Sequence, residues 1–250
     1  MSAGPLVVAV DGSERPGGAT APVLDHMGRR FARQGAQLRV LALRDHRVVG
    51  CGPCGDCTLR TEPCAVDDDV PALVEQLVAA SCVVYALPVH GFGASSLMQA
   101  FVERAGVGHL RFERPLEDRV GGVVVTGRRY AHTEVVAQLQ HNMLLNRMVL
   151  AGSGFPAVLH TDGLASPLHD AEGVAAVDAL VDRMVDVARR LRPAEWAVTG
   201  TAGSTHPGAR SHDTDADTDT DTTATADTAT ATDTDTATAT ATATDPRSTP

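Results

Sequence analysis

Leu6-Val7-Val8-Ala9-Val10-Asp11-Gly12-Ser13-Glu14-Arg15-Pro16-Gly17-Gly18-Ala19-Thr20 reads as a strand, a loop of small residues and the start of a helix. Residues 6–10 are a continuous apolar run, as expected of a strand covered on both faces. The loop lets backbone N–H groups approach an anion. The N-terminus of the helix that follows, over about residues 19–34, adds a favourable partial charge. Ser13 and Thr20 offer hydroxyls, and Arg15 offers a charge-assisted donor. The stretch is neither G-x4-G-K-[ST] nor G-x-G-x-x-G, so its strand-to-helix position argues for phosphate binding against an ordinary Gly/Pro turn.

The same unit recurs along the chain. Residues 38–43 form a second strand. Asp67-Asp68-Asp69-Val70-Pro71 carries carboxylates ahead of a proline, an N-terminal signature for a helix reaching about Ala80. Residues 82–87 are a third strand, stopped by Pro88. A helix over about 95–104 follows, with Ser95 or Ser96 available as its cap. A fourth strand (120–126), a fourth helix (133–146) and a fifth strand (148–151, with 157–159) come next. The last helix starts near Asp170 and carries one apolar stripe through Val174, Val177, Val181, Met184, Ala188 and Leu191. Pro193 lies at its end. This alternation predicts an α/β domain, a flavodoxin-like, doubly wound, five-stranded parallel sheet with helices on both faces. Ligands bind such sheets at the carboxyl edge of the strands.

Four of the five cysteines fall on that edge, in the loop after the second strand (about residues 44–66). Cys51, Cys54, Cys57 and Cys64 have the spacing C-x2-C-x2-C-x6-C. Three thiolates two residues apart can wrap one compact cofactor and a fourth can close the cage, as in [4Fe–4S] ligation. Four-thiolate zinc usually pairs two separated C-x2-C knuckles, and any C-x2-C pair could serve as a dithiol redox centre; both stay open. Cys82 opens a buried strand and reads as a small core residue.

The net charge of −10 belongs mostly to the C-terminal stretch: from residue 196 on, nine Asp stand against Arg210 and Arg247, leaving −3 for residues 1–195. That near-balanced domain does not suggest the basic face that nucleic-acid binding needs. Residues 196–250, nearly all Thr, Ala and Asp beyond Gly200, cannot bury enough apolar surface to fold and are expected to be disordered. The longest mostly apolar run, residues 78–89, is too short for the roughly 20 residues a bilayer span needs. The N-terminal run lacks a basic flank and is too short for a signal peptide, so a cytoplasmic protein is expected. In that compartment clustered cysteines are more often metal ligands or redox groups than disulfides.

Gly12-Ser13-Glu14-Arg15-Pro16-Gly17-Gly18-Ala19-Thr20 resembles the G-S-x-R-x-x-G-x-T phosphate loop of NADPH-dependent FMN reductases, with Ala19 at a usual Asn. Pro88-Val89-His90 resembles the P-V-Y segment bordering the isoalloxazine ring, with His90 at the usual aromatic, and residues 99–104 resemble the helix after it. Thr126-Gly127-Arg128-Arg129 lies in the family's flavin-contacting loop after strand four. The cysteines followed by Cys64-Ala65-Val66-Asp67-Asp68-Asp69 resemble the iron–sulfur flavoprotein branch, although the gap before Cys64 is one residue longer than usual. The resemblance spans about residues 5–190.

It implies non-covalent FMN, with Ser13, Arg15, Gly18, Ala19 and Thr20 at its phosphate. Pro88, Val89, His90, Gly91, Thr126, Gly127, Arg128 and Arg129 would border its ring. It also implies a [4Fe–4S] cluster on Cys51, Cys54, Cys57 and Cys64, NAD(P)H as a donor, a redox partner (a small molecule or an electron-transfer protein) and a homodimer or homotetramer. Arg128 and Arg129 could stabilise a reduced flavin or be solvated. Tyr130 and His132 are candidates for the pocket, His132 equally for a helix cap. His109, His141, His160 and His169 lack ligand spacing and are expected at the surface. No triad or paired carboxylates suggest protein-borne catalysis. The alternatives are a cluster-free NAD(P)H-dependent FMN or quinone reductase and a non-catalytic sensor using its cysteines or zinc.

Overall fold

A computed structural model describes residues 4–52, 54, 57, 59, 61–106, 110–161 and 166–196. His109 and the stretch 197–250 lie outside the described residues. Strands β1 (Leu6–Asp11), β2 (Gln37–Ala42), β3 (Cys82–His90) and β5 (Val120–Gly127) pair in parallel in the order β2-β1-β3-β5. The fifth position is divided. β6 (Val149–Leu150) pairs with the start of β5, and β7 (Val158–His160) pairs with its end. With β4 (Gly93–Ala94), antiparallel to the tip of β3, the described residues hold seven strands where the sequence pattern predicts five. The parallel, doubly wound, flavodoxin-like class stands.

Alternate residues of the central strands face two cores. Val8, Val10, Val83, Tyr85, Val123 and Val125 pack on one side with α2 (Val70–Val78), α3 (Ser96–Val102) and α5 (His132–Leu145). Val7, Ala9, Val84, Ala86 and Val124 pack on the other with α1 (Thr20–Arg33) and α6 (Ala171–Leu191). Helices on both faces explain why these strands read as unbroken apolar runs. A short helix, α4 (Leu110–Glu113), lies between α3 and β5. Cys82 belongs to the α1/α6 core, and burial pushes its thiol up to about 12.

Four local readings change. β3 does not stop at Pro88 but runs on to His90. Its pairing to β1 ends at Asp11↔Ala86, so by Pro88 the strand is flanked in parallel only by β5, and the missing N–H costs little. Ser95 occupies the N-cap of α3 without capping it, because its hydroxyl donates to the Gly12 carbonyl at 2.6 Å. The apolar stripe of α6 ends at Ala188, since Leu191 is 45% exposed. Packing nevertheless continues past it: Trp196, in the terminal turn α7 (Pro193–Trp196), is buried in the α1/α6 core.

α6 begins as its sequence suggests, with the Asp170 carboxylate accepting from Gly173 N at 3.0 Å. It lies along α1 through a polar ladder at one-turn spacing. His26 meets Asp178 at 2.7 Å, and Arg30 makes paired contacts with Asp182 at 2.5 and 3.0 Å. Gln34 joins Asp182 at 2.7 Å. No helix among the described residues is long and apolar enough to cross a membrane.

Candidate functional site

Because β1, β2, β3 and β5 run parallel, the loops that follow them all leave the sheet at one edge. The loop after β1 is built from within. Asp11 is 2% exposed; its carboxylate accepts from Ser13 N at 2.9 Å and pairs with Arg44 Nη1 at 2.5 Å. Arg44, from the turn after β2, also reaches the Ser13 carbonyl at 3.3 Å. Neither Asp11 nor Arg44 stood out in the sequence. An acidic residue ending an apolar strand was the only available signal.

Ser13 is buried, and its hydroxyl sits in a short turn with the Arg15 backbone (3.2 Å to the carbonyl, 3.4 Å from the N–H). Gly17 has φ +67°, and a Cβ on Gly18 would come within 2.9 Å of Ser13 Oγ. Gly17 thus adopts its left-handed conformation without strain, and Gly18 leaves room for the Ser13 hydroxyl. Ala19 stands at the N-cap of α1, and no side chain caps that end. A helix of 14 residues with an uncapped N-terminus leaves backbone donors available to an anion. Arg15 is exposed beside it. Thr20 is fully buried and its hydroxyl meets that of Thr126 at 3.4 Å, which ties the first loop to the end of β5.

The loop after β3 is a hairpin. Val89 and His90 pair with Ala94 and Gly93, and the two residues between, Gly91 and Phe92, have φ +54° and +64°. Two left-handed central residues make a type I′ turn, whose twist matches that of the flanking strands. Phe92 is thereby carried to the tip, 73% exposed, where its ring stacks on Tyr130 of the β5 loop (centroids 6.1 Å apart, planes at 29°). An aromatic therefore stands at the hairpin tip two residues after His90. A large residue between glycines was its only trace in the sequence. His90 turns toward the first loop, with Nδ1 3.3 Å from Glu14, whose other oxygen accepts from Ser96 Oγ at 2.5 Å.

In the loop after β5, Gly127 is packed so closely that an added Cβ would lie 2.9 Å from His132 Nε2 and 3.3 Å from Val89 Cβ. Arg128 and Arg129 are exposed. His132 is in the first turn of α5 and is buried, with Nε2 lacking a hydrogen-bond partner among the described residues and its ring 4.6 Å from that of His160. Burial holds the His132 imidazole below the ordinary histidine range, with the charge of His160 adding to the effect against Gly127, Glu134 and Asp170. His160, His141 and His169 are exposed, as expected.

The cysteine loop is held at its two ends. On the way out, Arg47 N donates to Asp69 at 2.8 Å, and Val49 N to Asp68 at 2.9 Å. Cys51 N donates to Glu103 at 3.0 Å. On the way back, Asp68 accepts from Val70 N at 3.2 Å and pairs with Arg104, which donates also to the carbonyls of Val49 (3.2 Å) and Val66 (3.5 Å). Glu103 and Arg104 follow α3 directly, so one helix end binds both arms of the loop. Burial works against the Asp68 carboxylate, but its bonds to Arg104, Val49 and Val70 hold it below the usual range. Cys51 and Cys54 are exposed; Cys57 and Cys64 are half-buried. Among the described residues, no three His, Cys, Asp or Glu side chains stand together as a metal-ligand set.

A parallel sheet carrying a glycine-rich strand-to-helix loop and two further loops with exposed aromatics on one edge has the architecture of flavodoxin-fold flavin-dependent oxidoreductases. The model of NADPH-dependent FMN reductases matches residues 5–162, and the chain belongs to that family. Two iron-sulfur flavoproteins of Methanocaldococcus jannaschii are each 24% identical to it. One aligns over 60% of this chain and 77% of its own length, the other over 74% and 98%. Among solved structures, RosB with a bound riboflavin-phosphate intermediate superposes with a TM-score of 0.61 at 14% identity, covering 83% of this chain and 93% of that one. FerB, an NAD(P)H:acceptor oxidoreductase of Paracoccus denitrificans, superposes with a TM-score of 0.56 at 14% identity, covering 74% and 98%. At these identities the structural likeness speaks for the fold.

Proposed function

We propose that this FMN-dependent oxidoreductase also carries a [4Fe–4S] cluster on Cys51, Cys54, Cys57 and Cys64 and passes electrons between a reduced donor, such as NAD(P)H, and an acceptor. The observation that carries the reading is the convergence of both arms of the cysteine loop on Glu103 and Arg104, with Arg104 Nε buried and unpartnered near Cys64. Four thiols and an orphaned cationic donor suit an iron–sulfur group. The names of the Methanocaldococcus relatives point the same way.

The phosphate of FMN would be held by Ser13, Arg15, Gly18, Ala19 and Thr20, and the ring bordered by residues 88–91 and 126–129. When bound, FMN supplies hydride acceptance and one-electron exchange, and the cluster one-electron exchange alone. The protein's part is to bind and orient. Asp11 and Arg44 brace the loop, and Phe92 and Tyr130 offer apolar surface at its rim. A homodimer or homotetramer is the proposed assembly.

One observation favours a second reading, a cluster-free NAD(P)H-dependent FMN or quinone reductase: the described cysteines do not group as a ligand set. Anaerobic purification with a visible spectrum and iron, sulfide and zinc analysis separates the two. Flavin with about four iron per chain is expected, as a [4Fe–4S] site requires. Flavin without iron leaves the reductase. Zinc without flavin removes both in favour of a sensor.

A further inference from the structure

Arg104 has more donors than its partners use. Its side chain is 3% exposed and the Asp68 carboxylate it pairs with is fully buried. That carboxylate already receives the backbone N–H groups of Val49 and Val70. Nη1 of Arg104 is spent on Asp68 and Val49 and one N–H of Nη2 on Val66, while Nε is buried with no hydrogen-bond partner among the described residues. Leaving a charged donor unpaired in the interior is costly, and a buried ion pair is by itself weak evidence of a stabilising role. Arg104 and Cys64 line one cleft of about 380 Å³, together with Val70, Val74 and Leu110.

We infer that Arg104 is a positioning residue for the cysteine site, its spare guanidinium donor reaching the Cys64 thiolate when that thiolate is a cluster ligand. The inference rests on the cluster reading above and goes beyond it, because it assigns a residue outside the cysteine motif to the tuning of the centre. Asp68 holds the guanidinium through Nη1, and Nε, with the second N–H of Nη2, is left over. A cation and a hydrogen bond at a ligating sulfur favour the reduced, more negative state, so Arg104 raises the reduction potential of the centre.

The test uses the full chain, reconstituted anaerobically with iron and sulfide. Two variants are compared with wild type, Arg104→Lys and the double variant Asp68→Asn/Arg104→Met. The first keeps an ion pair with Asp68. The second removes both buried charges together, which folds tolerate better than removing one. Flavin and iron per chain are measured, then the midpoint potential of the cluster. Both variants are expected to keep flavin and iron. In the double variant the reduced-to-oxidised ratio at fixed potential should fall about tenfold, equivalent to about 59 mV for one electron, with Arg104→Lys between it and wild type.

Variants that carry full iron at the wild-type potential overturn the inference alone. Iron lost from both variants with flavin retained also overturns it, leaving Arg104 a structural clasp. Wild type that takes up flavin but no iron removes the cluster reading and this inference with it.

Discussion

Ser13 and His132 show how one side chain's setting fixes a measurable property. Ser13 is held by its own turn, with the oxygen near an uncapped helix N-terminus. Ser13→Ala should leave the sheet intact and weaken FMN binding about 10- to 100-fold, the worth of one hydrogen bond to a charged group. Flavin fluorescence titration reads this directly, and an unchanged dissociation constant would place the phosphate elsewhere. His132 is buried with a lowered pKa, so the folded state favours its neutral form. Its contribution to stability is complete above the ordinary histidine pKa of about 6.5 and is lost as pH falls through the lower folded value. Thermal midpoints should therefore drop on acidification from about pH 6.5 to 5, more steeply for wild type than for His132→Gln. Parallel curves would mean that the site charges without cost. Position 132 could be picked out in the sequence as a histidine opening a helix; its burial against Gly127 could not, because that depends on how β3 and β5 converge.

At the scale of elements, the β3–β4 hairpin and the start of α6 carry the sharpest expectations. Phe92 adopts φ +64°, a conformation that favours glycine and strains a bulky side chain. Phe92→Gly should be neutral or stabilising by up to about 1 kcal/mol, while flavin binding weakens through loss of the ring. A variant less stable than wild type would show that the stack on Tyr130 outweighs the backbone strain. Gly173 lies where a Cβ would meet the Val158 carbonyl at 2.5 Å, a backbone atom that cannot step aside alone. Gly173→Ala should push α6 off β7 and cost about 1–3 kcal/mol in chemical denaturation.

The same elements explain what the sequence made legible. β1 and its loop could be read because strands covered on both faces are continuous apolar runs ending in small residues. The course of β3 past Pro88 could not, since it depends on β1 ending two residues earlier in the ladder. Phe92 hid in a Gly-Phe-Gly turn whose left-handed backbone is unusual for an aromatic. Asp11 and Arg44 meet across 33 residues, a distance that no local pattern encodes.

For the whole molecule, the two cores account for the packing through Trp196, which lies in one of them. The Thr/Ala/Asp stretch beyond residue 200 has no large aliphatic side chain to add to either. Truncation after Gly200 should leave the thermal midpoint and flavin content unchanged. A fall in either would mean that this stretch docks on the domain.

The clasp at Asp68 and Arg104 bears on how the cysteine loop is joined to the domain. Val49 and Asp68 are joined directly, so the segment between them begins and ends at one place on the scaffold. Closing such a segment costs only a slowly varying entropy with its length. The cysteine segment is therefore a cassette. Its replacement by a short glycine–serine bridge between Val49 and Asp68 should leave flavin binding intact, which a flavin titration of the shortened chain reads.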